Sequence, residues 1–410
     1  MNPDGPIVIL CDLPHGGSGN AAVGLFHGLQ QLGLPVEFWH CSNHSVPGKG
    51  PAISLNPGHK RPLLERIVRN FSQVAAYRAR HRRHTRTLLE LVDMRRPRLL
   101  HCHNLQSSGL NHDSLLQLPR GLPLVWTLHD AGPVQPRPFE WFDAGLGRID
   151  FLKPKEPNGS AALDRRRRFF AERSDVVLTT PSRWLCAEAR RLTNPGITIR
   201  HIPYGLDLDE FPPVGKASAR SQLGLTSERS WIGFASASAH RRKGGDLLLA
   251  AAATLDSARV GILNWGDSEP AVSEQAGVTM KTFGMIHDRA KLRALYAACD
   301  VFVCPSRMDN FPLSILESMA CGTAVIASDR GGTGEAIERG HTGGMFRGDD
   351  SADLAGVLRR FLEKADPLEM GRNARAAIEA RYTARHEAET FRELYSELRG
   401  SRPDEKSKPR

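Results

Sequence analysis

The stretch Asp300–Gly322, DVFVCPSRMDNFPLSILESMACG, decides the fold of this 410-residue chain. Its apolar run Val301–Cys304 predicts a buried strand, and the Pro-Ser pair that follows predicts a turn. A helix should begin near Pro312, because proline suits the first helical turn, where its missing N–H would be unpaired anyway. A strand that passes through a short loop into a helix is the repeating unit of an α/β domain.

Strand and helix patterns alternate along the rest of the chain in the same way. Predicted strands lie at Ile7–Leu10, Val36–Trp39, Leu99–Cys102, Leu124–Leu128, Val176–Thr179, Ile197–Ile202, Trp231–Ala235, Val260–Leu263, Thr279–Phe283, Asp300–Cys304 and Thr323–Ser328. Amphipathic helices are predicted at Asn20–Leu32, Leu63–Leu91, Arg183–Leu192, Gly244–Leu255, Asp288–Ala298, Pro312–Cys321, Ala352–Lys364 and Glu387–Leu398. Near-continuous apolar strands that alternate with helices are typical of a parallel sheet covered on both faces.

A segment rich in Pro, Gly and Asp, Tyr204–Ala217, is typical of a linker between domains. We therefore predict two Rossmann-like α/β domains, each a doubly wound parallel sheet, facing each other across a cleft and spanning residues 1–203 and 204–383. Ligands of such sheets bind beyond the carboxyl ends of the strands. Residues 384–400 should form a helix that packs back on the first domain, and residues 401–410 a disordered tail.

Composition narrows the class of protein. A hydrophobic fraction of 40% and a charged fraction of 24% are those of a soluble globular chain. No apolar run approaches the ~20 residues that span a bilayer, and Ile7–Leu10 is too short for the core of a signal peptide. The seven cysteines form no CxxC pair, which favours small buried hydrophobic side chains over disulfides or metal ligands. These features predict a cytoplasmic protein.

The net charge of +10 is concentrated in a few basic segments. Lys60–Arg98 is strongly basic, and Arg165–Arg168 adds a second run. Such a surface can attract anionic lipid headgroups, phosphorylated substrates or nucleic acid, and a solvated helix face is an equally good interpretation. The alternation of strands and helices argues against a nucleic-acid module, so we expect no nucleic-acid partner.

The loop of the opening stretch carries the strongest chemical pattern. Asp309 and Asn310 precede the predicted helix, and the free N–H groups of its first turn, Phe311–Leu313, can bind an anion. Glu317 lies about one turn into that helix, where its carboxylate can accept two hydrogen bonds from the hydroxyl groups of a ribose. Farther on, Glu335 should fall at the start of a short helix.

This loop resembles the retaining glycosyltransferases of the two-Rossmann GT-B fold, family 4, which carry the pattern PS-x-x-E-x-F-P-x-x-x-x-E-A-x-A-x-G. The corresponding positions here are Pro305, Ser306, Asp309, Phe311, Pro312, Glu317, Ala320 and Gly322. Two positions depart from it, because Asp309 replaces the usual first glutamate and Ser318 replaces an alanine. The resemblance implies that Glu317 binds the ribose of a sugar nucleotide and that Asp309 faces the donor sugar with a shorter reach.

A second match lies in the run SAHRRKGGDLLL, residues 238–249. The family has a lysine before a glycine at this point, which contacts the donor pyrophosphate, and Lys243 and Gly244 match it. The family's upstream arginine is missing here, and Arg241 or Arg242 could substitute for it. The resemblance thus makes the second domain the donor-binding one.

The first domain resembles the family more loosely. Its HGGSGN loop places Gly16 and Gly17 where the family has a glycine loop in the acceptor domain. Its WTLHD segment matches a family segment whose histidine approaches the transferred sugar, which points to His129, followed by Asp130. The end of the preceding strand could line the same cleft with His101, Cys102, His103 and Asn104. A zinc site in the His-Cys-His run that ends at His103 is a weak alternative, because no further ligand has the spacing of a zinc site.

Together these features predict an enzyme that moves a sugar from a nucleotide-sugar donor to a hydroxyl group with retention of configuration. We expect His129, Asp309 and Glu317 to be catalytic, with no metal and no cofactor, since the nucleotide sugar is a substrate. The expected acceptor is a glycan or lipid-linked glycan of bacterial polysaccharide biosynthesis, with peripheral contact to an anionic membrane. A sugar-nucleotide epimerase, a phosphorylase of the same architecture and a non-catalytic polyanion-binding protein are the alternatives.

Overall fold

The computed structural model describes residues 4–42, 46, 51–56, 73–105, 110–134, 140–143, 147–150, 159–236, 241–256, 258–266, 269–275 and 277–400. The chain divides into two compact units. Unit 1 contains the chain up to Gly205 together with the segment that begins at Ala384, and unit 2 contains Leu206–Thr383. Each unit is described by itself.

Unit 1 is built on a parallel sheet. Its strands are β1 (Ile7–Cys11), β2 (Val36–His40), β3 (Ala52–Ser54), β4 (Leu99–Cys102), β5 (Leu124–Thr127), β8 (Val177–Thr180) and β9 (Thr198–His201), with a separate antiparallel pair of β6 (Glu140–Asp143) and β7 (Gly147–Asp150). The seven sheet strands follow the order β3-β2-β1-β4-β5-β8-β9, and every neighbouring pair is parallel. The carboxyl ends of β4 and β5 therefore lie side by side.

The helices of unit 1 cover both faces of this sheet. They are α1 (Gly16–Gln31), α2 (Gln73–Arg95), α3 (His112–Leu116), α4 (Gly159–Glu172), α5 (Arg183–Leu192) and, after the excursion into unit 2, α12 (Ala384–Gly400). Helix α12 joins the core formed by β1 and α1, where Phe391 packs with Ile9 and Phe26. Gly28 permits this packing, because a Cβ there would lie 2.8 Å from the carbonyl oxygen of Ala384.

Unit 2 has a second sheet of the same kind. Its strands are β10 (Ser230–Ala235), β11 (Val260–Trp265), β12 (Ala271–Gln275), β13 (Val278–Thr282), β14 (Val301–Cys304), β15 (Val325–Ser328) and β16 (Gly343–Phe346). They follow the order β12-β13-β11-β10-β14-β15-β16, and only the edge strand β12 is antiparallel to its neighbour. The helices are α6 (Lys216–Gln222), α7 (Gly245–Ala252), α8 (Arg289–Ala298), α9 (Leu313–Ala320), α10 (Ser351–Lys364) and α11 (Pro367–Arg381), with 3₁₀ turns at Leu208–Glu210 and Arg241–Lys243. The predicted fold class, two parallel-sheet α/β units, is confirmed.

Several local predictions differ from the structure. Helix α1 begins at Gly16 and not at Asn20, so the two glycines expected in a loop belong to its first turn. Pro312 is the residue before α9 and not part of its first turn. Glu335 lies in a run of turns where a short helix was expected, because the chain reverses tightly through two glycines there. The tail 401–410, the start of the predicted helix Leu63–Leu91 and residues 238–240 lie outside the described residues.

Candidate functional site

Two cations meet one carboxylate at the carboxyl edge of the unit 2 sheet. The Lys243 ammonium lies 2.6 Å from Oδ2 of Asp309, and Arg242 Nη1 lies 3.4 Å from the same oxygen. The side chain of Asp309 is only 17% exposed. Burial opposes ionisation of Asp309, but the charges of Lys243 and Arg242 outweigh it and hold the pKa of that carboxyl below its usual value. Asp309 is thus an ionised group that holds two cations together.

Glycines allow the backbone segments around this group to touch. Gly244 has a φ of +72°, and a Cβ there would lie 2.0 Å from the carbonyl oxygen of Pro305. Gly331 has a φ of +61°, and a Cβ there would lie 2.3 Å from the carbonyl oxygen of Asp309. The N–H of Gly332 donates to that same carbonyl, at 3.0 Å. Only glycine combines the left-handed backbone with this close approach.

The loop after Asp309 leads directly into α9. The side chains of Asn310 and Phe311 are buried, and the ring of Phe311 packs at 5.9 Å from that of Tyr382. Pro312 caps the helix without a side-chain hydrogen bond, and Leu313 is its first residue. Since the first N–H groups of any helix have no partner inside it, this end can bind an anion. It begins four residues after the carboxylate that holds the two cations.

Glu317, on α9, is held from two sides. Tyr296 Oη donates to its Oε2 at 2.8 Å, and Arg289 Nη1 lies 3.5 Å from its Oε1. Burial raises the pKa of Glu317, while the hydrogen bond from Tyr296 and the charge of Arg289 act in the opposite direction. A carboxylate oxygen has two acceptor positions, so Glu317 keeps the capacity to accept further hydrogen bonds from hydroxyl groups.

In unit 1, the ends of β4 and β5 bring His103 and His129 together. Nε2 of His129 lies 3.0 Å from Nδ1 of His103, and Nδ1 of His129 lies 2.5 Å from Oη of Tyr204. Burial lowers the pKa of His129 to about 3. Burial, followed by the neighbouring histidines, lowers the pKa of His103 as well. Both imidazoles are therefore neutral hydrogen-bonding groups at physiological pH.

The other predicted residues of unit 1 take different positions. Gly16 and Gly17 are exposed at the start of α1, and no heavy atom lies within 4 Å of a Cβ built at either. Asp130 accepts a hydrogen bond from the N–H of Gly132 at 2.7 Å, which shapes its own loop. Asn104 connects the end of β4 to α1, because its amide donates to Ser18 Oγ at 3.2 Å.

The weak zinc alternative finds no support in these side chains. Both nitrogens of His101 are already engaged, Nδ1 by Tyr395 Oη at 2.6 Å and Nε2 by Thr127 Oγ1 at 2.7 Å. Burial raises the pKa of the Cys102 thiol. Within the described parts of the chain, no three His, Cys, Asp or Glu side chains gather as metal ligands would.

Three residues of these groups were not predicted as site residues: Tyr204, Tyr296 and Arg289. The sequence marks Tyr204 only as the first residue of the predicted linker Tyr204–Ala217. Tyr296 and Arg289 give no signal at all, since a tyrosine and an arginine within a helix pattern are ordinary. Their contacts become visible only when distant segments are brought together.

Comparisons with known proteins agree with the fold. The family model described as Glycosyltransferase Family 4 matches residues 15–210, and the model described as Glycosyl transferases group 1 matches residues 229–364. No helix among the described residues is long and apolar enough to cross a bilayer.

Relatives of known name cover part of the chain. A protein from Mycobacterium sp. (strain KMS), named D-inositol 3-phosphate glycosyltransferase, is 34% identical over 43% of this chain and 41% of its own length. One of the same name from Arthrobacter sp. (strain FB24) is 29% identical over 70% of this chain and 68% of its own length. The match thus spans about two fifths of the mycobacterial relative.

Solved structures share the fold. Sucrose-phosphate synthase from Thermosynechococcus elongatus superimposes with a TM-score of 0.74 at 22% identity, covering 97% of this chain and 100% of its own. HepE from Anabaena, solved in complex with UDP and glucose, superimposes with a TM-score of 0.69 at 16% identity, covering 96% of this chain and 100% of its own. At these identities the likeness concerns the fold alone.

Proposed function

The chain belongs to the glycosyltransferases of family 4 and group 1, with the GT-B fold, and on that premise we propose that it transfers a sugar from a nucleotide-sugar donor to an acceptor hydroxyl group. The observation that carries the proposal is the convergence of Lys243 and Arg242 on Asp309, just before the amino end of α9. Two cations and the amino end of a helix suit a diphosphate. The placement of Arg242 supports it as the substitute for the missing upstream arginine.

The proposed reaction retains the anomeric configuration. The bond between the sugar C1 and the diphosphate oxygen breaks, and a bond from C1 to the acceptor oxygen forms on the same face. The acceptor proton passes to the leaving diphosphate, so the products are a glycoside and a nucleoside diphosphate. Lys243, Arg242 and the first turn of α9 stabilise the negative charge that grows on the leaving group. With this charge supplied by the protein, the proposal includes neither a metal nor a cofactor.

We assign Glu317 to the ribose of the donor. Tyr296 and Arg289 hold its carboxylate in one orientation, which leaves acceptor positions for two vicinal hydroxyl groups. Asp309 stays ionised and orients Lys243 until the diphosphate competes for that ammonium. His129, with a pKa of about 3, is better suited to hydrogen-bond a sugar hydroxyl than to act as a general base at neutral pH.

The acceptor is proposed by class. A glycan or lipid-linked glycan of bacterial polysaccharide biosynthesis agrees with the basic surface of unit 1. A phosphorylated polyol is the second candidate, because a relative that matches 70% of this chain is named D-inositol 3-phosphate glycosyltransferase. The exposed backbone of Gly16 and Gly17 at the start of α1 would take the phosphate or hydroxyl groups of either acceptor.

The test is nucleotide release from a panel of UDP-, GDP- and ADP-sugars, with and without the two acceptor classes. At least one donor should be consumed only when an acceptor is present. Lys243→Met and Glu317→Gln should each lower kcat/KM by about 100-fold, as expected when a charged or hydrogen-bonding group at the leaving group or ribose is removed. The exposed Lys364→Met and Glu363→Gln are matched controls on the same unit and should change nothing.

Product analysis separates the rival activities. A labelled donor that is converted to an isomer of itself without acceptor identifies an epimerase, and sugar phosphate formation with inorganic phosphate identifies a phosphorylase. If calorimetry detects no binding of any UDP-, GDP- or ADP-sugar to the wild-type protein, the proposed function is wrong. Salt-sensitive binding of polyanions alone would then favour the non-catalytic alternative.

Membrane contact is proposed for helix α2, on the cytoplasmic face of the membrane. Arg78, Arg82 and Arg86 are exposed at intervals of four residues, so they form one stripe along the helix. Each basic residue near an anionic surface contributes about 1 kcal/mol. The triple change of these arginines to glutamine should abolish flotation with vesicles rich in phosphatidylserine at low salt.

The matched control changes the exposed Arg359, Arg360 and Arg372 of unit 2 to glutamine, which removes the same charge elsewhere. Equal loss of flotation in both triple variants would assign binding to net charge and not to α2.

A further inference from the structure

An arginine is nearly buried in the loop between β14 and α9. The side chain of Arg307 is 6% exposed, yet its guanidinium makes a full set of charged contacts. Nη1 and Nη2 each donate to one oxygen of Asp246, both at 2.7 Å, and Nε donates to Asp349 at 2.5 Å. Nη1 also donates to the carbonyl oxygen of Arg241 at 2.6 Å. A planar fork is required to reach all of these acceptors at once.

These contacts enclose the short turn that carries Lys243. The backbone N–H of Arg307 donates to the carbonyl oxygen of Arg242 at 2.9 Å. Arg307 therefore fixes the two carbonyl groups immediately before Lys243 and, through Asp246, the first turn of α7 immediately after it. The turn Arg241–Lys243 is a single 3₁₀ turn, which contributes little stability of its own. Its position depends on what surrounds it.

The second carboxylate fastens another segment to the same guanidinium. Asp349 is one of two non-glycine residues with positive φ in the described chain, at +66°. Such a backbone persists only where neighbouring contacts hold it. The bond from Arg307 Nε to Asp349 supplies one of these contacts, so one side chain joins the loop after β14, the Lys243 turn and the loop before α10.

We propose that Arg307 is a positioning residue that holds the Lys243 ammonium at the place where the donor diphosphate binds. The inference rests on the proposed function for the identity of the ligand. Arg307 itself is directed toward Asp246 and Asp349, with both carboxylates as its partners, and acts on the ligand only through the Lys243 turn. Lysine in its place would keep the charge but could not form the fork.

A double-mutant cycle tests whether Arg307 acts through Lys243. UDP, GDP and ADP are titrated by calorimetry into the wild type, Arg307→Lys, Lys243→Met and the double variant. Arg307→Lys should weaken binding of the preferred nucleotide by about tenfold in the wild-type background and by less than about twofold in the Lys243→Met background. Binding of the corresponding nucleoside, which lacks phosphate, should stay unchanged. Equal weakening in both backgrounds would overturn the proposal.

A second measurement needs no ligand. Amide hydrogen exchange at residues 241–246 should be faster in Arg307→Lys than in the wild type, because the turn loses its anchors. Arg347→Lys is the matched control, since Arg347 pairs with Asp350 near the same loop but outside this group of contacts. Unchanged exchange at 241–246 in Arg307→Lys overturns the positioning role, whether or not any nucleotide binds.

The two hypotheses fail in different ways. If the wild type binds no nucleotide while exchange at 241–246 rises in Arg307→Lys, the proposed function fails and the positioning role stands. Should Arg307→Lys fail to fold, Asp246→Asn is the milder variant, because it removes one carboxylate oxygen from a side chain that is 56% exposed. It should raise the exchange at 241–246 and weaken nucleotide binding, as expected for Arg307→Lys. No change in either quantity for a folded Asp246→Asn contradicts the proposal.

Discussion

Gly244→Ala is the substitution that most directly tests the geometry of the donor site. Gly244 has a φ of +72°, a conformation that costs an L-residue about 1 to 2 kcal/mol. In addition, the new methyl group would lie 2.0 Å from the carbonyl oxygen of Pro305. Carbon and oxygen do not approach closer than about 3 Å without repulsion, so one of the two backbone segments must move by about 1 Å.

One of these segments carries Lys243 and the other leads to its partner Asp309, so a shift of either should appear as lost function. A misplacement of about 1 Å at a reacting centre lowers the rate by about 100-fold, which corresponds to about 2.7 kcal/mol of transition-state stabilisation. The assay is kcat/KM with the preferred sugar nucleotide, together with the affinity for the product nucleotide by calorimetry. Both should fall.

Gly340→Ala is the matched control for this experiment. Gly340 has a φ of +77° in the same unit, but no heavy atom lies within 4 Å of a Cβ built there. It has the same backbone strain without the collision, so Gly340→Ala should melt lower by a few degrees from strain alone, and Gly244→Ala by more because the collision adds to it. Only Gly244→Ala should lose nucleotide affinity. The reasoning is refuted if Gly244→Ala keeps a nucleotide affinity and a kcat/KM within threefold of those of Gly340→Ala. The collision with Pro305 would then cost no more than roughly 0.7 kcal/mol of binding free energy.

Three further predictions concern buried polar groups. Burial raises the pKa of Glu387 to about 8, so between pH 4.5 and pH 8 the folded chain keeps a proton that the unfolded chain loses. The free energy of unfolding should therefore fall as pH rises through this window. Glu387→Gln should flatten this pH profile when stability is measured by urea titration. Burial, then repulsion from a neighbouring imidazole, lowers the pKa of His101 to about 3. Between pH 6.5 and pH 3 the unfolded chain therefore binds a proton that the folded chain does not, and the free energy of unfolding should fall as pH drops through this window. His101→Gln should reduce this acid sensitivity. Tyr296→Phe removes the hydroxyl that donates to Glu317 and leaves a buried carboxylate oxygen without that donor. It should lower both the free energy of unfolding and the free energy of nucleotide binding by about 1 to 3 kcal/mol. Unchanged nucleotide affinity would show that Glu317 does not bind the ribose.

Local patterns in the sequence predicted most of the fold. Strands such as Val301–Cys304 are apolar throughout and therefore visible, whereas the edge strand Ala271–Gln275 is largely exposed and Gly343–Phe346 begins with two glycines. Neither shows the apolar run that marks a strand, so both were missed. The helix start at Gly16 was missed for a related reason, since glycines there predict a loop.

In the candidate site, too, residues in local motifs could be predicted and residues in long-range contacts could not. Asp309 and Lys243 could be predicted because each sits in a short motif next to its strand. Arg307 could not, because its partners Asp246 and Asp349 are 61 and 42 residues away in sequence. Tyr204 and His129, likewise 75 residues apart, meet only in the folded unit. Long-range polar pairs have no periodicity that a single sequence can display.

The order in which the chain is made has a consequence for how it folds. Leu206 and Thr383, the first and last residues of unit 2, are bridged side by side, and α12 of unit 1 follows them in sequence. A ribosome therefore completes all of unit 2 before it delivers the helix that covers the apolar face of α1. Until then the apolar face of α1 stays uncovered by α12. Chaperone dependence during synthesis should accordingly concentrate on unit 1, while residues 206–383 are suited to expression on their own.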